Sequence, residues 1–181
     1  MKKSKYIAFS VLLIISVFCI QVYAYNYMGT GKWPSPNVNY AISSDVPSDY
    51  VNPIVWAAEM WTNNSEYKLT RNNSSQINVY AYNYGSTSWD GITYINGITD
   101  PPINQTYSYA NIQINRAKAD SYDDLRKKLV VCHEFGHTAS LAHEVAYTMM
   151  YGRDVWKAYE NNNNLRYRPD PDDITGINNR Y

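Results

Sequence analysis

The chain has 181 residues, 16 Lys and Arg balanced by 16 Asp and Glu, and 45% hydrophobic residues. That length fits one domain with a sizeable core. The even charge, with no basic run, excludes an electrostatic footprint for nucleic acid or an anionic membrane surface.

Lys2, Lys3 and Lys5 precede an apolar run from Tyr6 to Ile20, and Val22 and Ala24 occupy the positions before a cut. The run is shorter than the roughly 20 residues of a spanning helix. It reads as a secretory signal peptide, residues 1–24, with a retained membrane anchor as the alternative. Residues 25–181 are then expected as a single secreted domain, a monomer with no stable membrane association. Three lysines leave with the signal, so the remainder is slightly acidic. Of Cys19 and Cys132 only Cys132 stays, so no intramolecular disulfide can form. Stability must come from the core or from bound metal. The 19 tyrosines read as aromatic packing on a polar secreted surface, in preference to a carbohydrate-binding face.

Asn37–Ser43 alternates Val38, Tyr40 and Ile42 and predicts a strand. In SDYVNPIVWAAEMW a helix is expected, capped by Asn52 with Pro53 at its first position, and with Val51, Ile54, Val55, Ala58 and Trp61 on one face. Gln76–Tyr84 alternates again, Ile92–Asn96 makes a short strand, and Ala110–Arg116 another. A long helix follows, with Ser121 and Asp124 as a capping box. Leu125, Leu129, Cys132 and Gly136 form its core face, and HEFGH lies in its last turns. After an irregular stretch, Asp170, Pro171 and Asp173 start a final helix. Strand, helix, three strands, helix, loop, helix is an α+β plan.

All three histidines fall in HEFGHTASLAH, His133–His143. His133 and His137, four apart, share a helix face and can converge on one ion. If the helix ends near Ala139, the chain can bring His143 back beneath the same ion. Three neutral imidazoles leave a fourth zinc position open, the catalytic pattern. Glu134 adjoins a ligand without being one, and its carboxylate can take a proton from water. An ordinary surface helix is the plain alternative, and it leaves unexplained why no histidine occurs elsewhere. Zinc suits this donor set better than iron, cobalt or nickel.

At this point the sequence resembles the metzincin zinc metalloendopeptidases, specifically the matrixin-like branch of bacterial-type secreted peptidases. HEFGHTASLAH matches that family's HExxHxxGxxH with one exception. YTMMYG resembles the Met-turn, with Met150 as the supporting methionine and Tyr151 after it. DDITGI resembles the start of the C-terminal helix, GKWPSPNVNYAI the first strand, and VWAAEMW the first helix. The resemblance implies a twisted, mainly parallel five-stranded sheet with an antiparallel edge strand, packed on two long helices plus a C-terminal helix. It implies one catalytic zinc on His133, His137 and His143, Glu134 as general base, and Tyr151 as a pocket wall or auxiliary ligand. A protein or peptide substrate would lie along an edge strand, for which Ile92, Tyr94 and Asn96 are the candidates. An edge strand without a ligand is the alternative there.

The departures are specific. Ser140 stands where the family has glycine at a turn of positive φ, and serine there costs about 1 kcal/mol. Glu144 follows the third histidine, where serine is usual in matrixins and glutamate in astacin-type relatives. No cysteine switch precedes the domain. Asp90, Asp100 and Asp120 are the residues a calcium site would draw on, but solvated loop aspartates account for them and calcium is not supported. Ser140 is also the main support for a second reading, a secreted zinc-stabilised binding protein that has lost catalysis. Glu134 argues against it, because a purely structural site has no use for that carboxylate.

Overall fold

A computed structural model describes residues 25–181, so the expected signal peptide lies outside the described residues. Five strands form one sheet: β1 (Asn37–Ile42), β2 (Lys68–Arg71), β3 (Ile77–Tyr82), β4 (Gly91–Ile95) and β5 (Ala110–Asn115). Their order is β2-β1-β3-β5-β4. β1 pairs in parallel with β2 and β3, and β3 with β5. β4 runs antiparallel to β5 at one edge. The helices are α1 (Ser48–Asn64), α2 (Arg116–Ala119), α3 (Asp124–Thr138), α4 (Val155–Asn161) and α5 (Pro171–Arg180). A 3-10 turn covers Asn163–Arg166. None of the helices among the described residues is long and apolar enough to cross a membrane.

The alternation seen in sequence sets the sheet's two faces. Ile77, Val79 and Ala81 of β3 and Ala110, Ile112 and Ile114 of β5 are buried. Register places Val79 beside Ile112, and Ile112 beside Thr93 of β4. Thr93 therefore shares the inward row, on the side of α3. α1 and α3 pack on that face. Tyr40 meets Phe135 edge-on at 5.5 Å, and the Trp61 indole N–H donates to Cys132 O at 2.8 Å. Burying a side chain such as Ile54 contributes about 1.5–3 kcal/mol.

Three local expectations are corrected. α1 begins at Ser48 after Pro47, so Asn52 does not cap it and Pro53 lies inside the helix. The extra turn buries Tyr50, whose hydroxyl donates to Asp120 Oδ1 at 2.7 Å, and that burial outweighs the donor Pro53 lacks. α3 is capped by Asp123, whose carboxylate accepts from Arg126 N at 2.7 Å. Ser121 instead donates to Lys118 O behind it. β2 went unforeseen, because Leu69 is its one buried side chain. α5 starts as its sequence says, with Asp170 accepting from Asp172 N at 3.1 Å and Pro171 in the first position.

Candidate metal centre

α3 carries His133 and His137 one turn apart and ends at Thr138. Two residues later Ser140 takes φ 79°, in the left-handed region. The position keeps the backbone that glycine would adopt most readily, and the serine side chain explains how. Its Oγ donates to Gly31 O at 3.0 Å and accepts from Tyr107 Oη at 3.2 Å. Ser140 O accepts from Met28 N at 2.9 Å. These anchors offset a conformational cost of about 1–2 kcal/mol. Beyond the turn the chain doubles back and carries His143 to the helix.

The three Nε2 atoms then lie 3.1 Å from one another. His133 Nδ1 is 2.7 Å from Met149 O, and His137 Nδ1 is 2.9 Å from Leu141 O. A carbonyl oxygen only accepts, so both Nδ1 atoms carry hydrogen and both Nε2 atoms present lone pairs. Protonation cannot relieve the crowding. Burial, then His143, pushes His133 down to about 4. Burial, then His133 and His143, holds His137 well below its usual value, and burial lowers His143. Neutral rings aiming lone pairs at one point repel unless a cation lies between them. A triangle of such sides places its centre about 1.8 Å from each nitrogen. That spacing would let all three nitrogens hold one small divalent ion. The donor set therefore fits a divalent ion such as zinc. The carbonyls of Met149 and Leu141 fix both helical rings from behind.

Glu134 is buried beside the triangle, with Oε2 2.7 Å from Thr93 Oγ1. Burial, which the Thr93 hydrogen bond opposes and Asp90 reinforces, raises its carboxyl to about 8. A cation held by the imidazoles favours the ionised form and pulls it down again. Gly91 lets β4 approach: a β-carbon there would stand 2.8 Å from Glu134 Cγ and Oε1. Met150 packs on Gly136, where a β-carbon would overlap its sulfur. Met149 N donates to Asp173 Oδ2 at 2.8 Å, tying this turn to α5. Tyr151 is buried against Tyr147, with ring centroids 5.1 Å apart. The triad, Glu134, Thr93 and Tyr151 all line one cleft of about 770 Å³.

No family model matches the chain, and no curated protein matches it. Among solved structures it is similar to a chain in the GM1 bound form of the ECX AB5 holotoxin, over 80% of each chain, with TM-score 0.56 and 14% identity. It is also similar to myroilysin, with TM-score 0.46 and 21% identity, covering 65% of this chain and 54% of that one. The first likeness is one of fold; the second is too partial to carry an argument.

Ile92 and Tyr94 lie on the edge strand, on the sheet face opposite Thr93. Asn96 falls past the end of β4, in a turn at φ 52°. Its N–H donates to Tyr109 O at 3.0 Å and its side chain accepts from Ser108 N at 2.9 Å. It builds the turn and offers no free edge. Of the three aspartates considered for calcium, Asp90 pairs with Lys118 and Asp120 with Arg116, and Asp100 lines the cleft. Thr93 and Gly91 are the site residues that sequence reading missed. The only signal for Thr93 is its inward parity between Ile92 and Tyr94. Nothing in the sequence marks Gly91 as facing a carboxylate from another element.

Proposed function

We propose that the chain is a secreted zinc-dependent endopeptidase of the metzincin kind, acting on a protein or peptide. The observation that carries this reading is the triangle of imidazole nitrogens with the Glu134 carboxylate beside it in an open cleft. His133, His137 and His143 would hold the ion. When bound, zinc lowers the pKa of water and polarises a carbonyl. Glu134 accepts the water's proton on its carboxylate and delivers it to the departing amine nitrogen. Thr93 fixes that carboxylate's rotamer. Met150 supports the site from below and Tyr151 walls it. An extended peptide would pair by main-chain hydrogen bonds with β4, the exposed edge of the sheet. Secretion rests on the signal-like residues 1–24.

The test pairs the zinc-loaded protein with its Glu134→Ala variant in a diverse peptide mixture, read by mass spectrometry. Internal cuts are expected from the parent. At least a hundredfold loss is expected in the variant, which keeps its zinc. Turnover unchanged by that substitution would remove Glu134 from the mechanism. No cuts by either protein, with zinc bound, would favour the binding-protein reading.

A further inference from the structure

Arg126, Val130 and Glu134 follow one another at single-turn spacing on α3, and all three line the cleft. Arg126 thus lies about 12 Å along the helix from Glu134. Its guanidinium stands 3.9 Å over the ring of Tyr122 and 5.8 Å from that of Trp156. The aromatic rings position the group before any ligand arrives. Among the described residues its Nε is buried and has no hydrogen-bond partner.

Two carboxylates stand at ion-pair distance from Nη2 but beyond hydrogen-bond reach. Asp154 Oδ2 stops at 3.6 Å and Asp90 Oδ2 at 3.9 Å. Asp90 spends both oxygens elsewhere, and Asp154 spends its Oδ1. Asp90 is bridged by Lys118 at 2.7 Å and accepts from Tyr122 Oη at 2.8 Å. Asp154 caps α4 by accepting from Trp156 N at 2.9 Å. A buried donor without an acceptor is destabilising. A planar guanidinium left open on a cleft matches a carboxylate by two parallel hydrogen bonds.

We infer that Arg126 is a specificity determinant, selecting peptides with glutamate or aspartate adjacent to the scissile bond. This rests on the peptidase reading of the same cleft. The partner is acidic because a guanidinium is a cationic fork of donors, and here none of them meets an acceptor within hydrogen-bond distance among the described residues.

The experiment uses the zinc-loaded protein and peptides that differ only in one residue flanking a cleaved bond: Glu, Gln, Leu or Lys. The glutamate peptide is expected to show a kcat/KM about tenfold or more above the leucine peptide. Arg126→Gln should collapse that ratio to near one while zinc content stays unchanged, and Arg126→Glu should turn the preference toward lysine. Equilibrium binding of the same peptides to Glu134→Ala, followed by tryptophan fluorescence, gives a readout without turnover. A leucine preference, or a glutamate preference that survives Arg126→Gln, overturns the inference and leaves the peptidase reading intact. No cleavage by the parent overturns the peptidase reading. In that case, tighter glutamate binding that Arg126→Gln abolishes still supports Arg126, and equal binding of both peptides overturns it as well.

Discussion

The two walls of the cleft are held by different means. One wall is α3, whose periodicity sets the backbone positions of His133, Glu134 and His137. The other is the irregular chain from Ala139 to Asp154. There His143 depends on anchors distant in sequence: Gly31 and Tyr107 on Ser140, Met28 on its carbonyl, and Asp173 on Met149. A local rule places two ligands, and long-range contacts place the third. The helical wall is therefore expected to tolerate changes elsewhere, and the looped wall to fail when a remote anchor is lost.

The largest effect expected is on metal. His137→Ala should lower zinc affinity by on the order of a thousandfold, about 4 kcal/mol, measured by competition with a chelator. His143→Ala should cost a similar amount while leaving α3 folded by circular dichroism. Parental affinity in the His143 variant would break the comparison, because the looped wall would then supply no ligand.

Next comes pH, where His133 of one wall and Asp173 behind the other have opposite signs in metal-free protein. His133, pushed from 6.5 down to about 4 by burial, contributes stability above pH 6.5 that is lost as pH falls toward 4. Asp173, raised from 3.8 to about 7 by burial, contributes stability at low pH that is lost as pH rises through 7. Asp173→Asn keeps an acceptor for Met149 N but does not titrate. Urea unfolding at successive pH values should show the parent losing on the order of 3 kcal/mol relative to this variant between pH 4 and 8. Parallel curves would show that Asp173 ionises normally and that the looped wall has no such dependence.

The smallest effect tests the turn itself. Ser140→Ala removes two hydrogen bonds while keeping a β-carbon at positive φ, and should cost about 2 kcal/mol by urea unfolding. Ser140→Gly loses the same bonds but relieves the backbone, and should cost about 1 kcal/mol or less. If alanine proved as stable as serine, Gly31 and Tyr107 would not be the anchors of His143.

Much of this division was visible beforehand. The alternating runs of β1, β3 and β5, the Asp170-Pro171 start of α5 and the four-residue spacing of the helical histidines are local patterns, and local patterns survive folding when they agree with burial. The misses share a cause. β2 has a single buried side chain and is a strand only because β1 lies beside it. α1 starts a turn early because Tyr50 finds Asp120, 70 residues away. Thr93 and Gly91 serve Glu134 across 41 and 43 positions of sequence, and nothing local marks them.

The sequence by itself determined the donor set: three histidines and a glutamate, two of the ligands aligned by the helix repeat. Only the tertiary structure decided that His143 closes the triangle. It also decided that Ser140 serves at a position of positive φ and that Arg126 lines the cleft with its Nε unpartnered. Those outcomes depend on contacts between residues remote in the chain, whose energies exist only after the sheet and helices have packed.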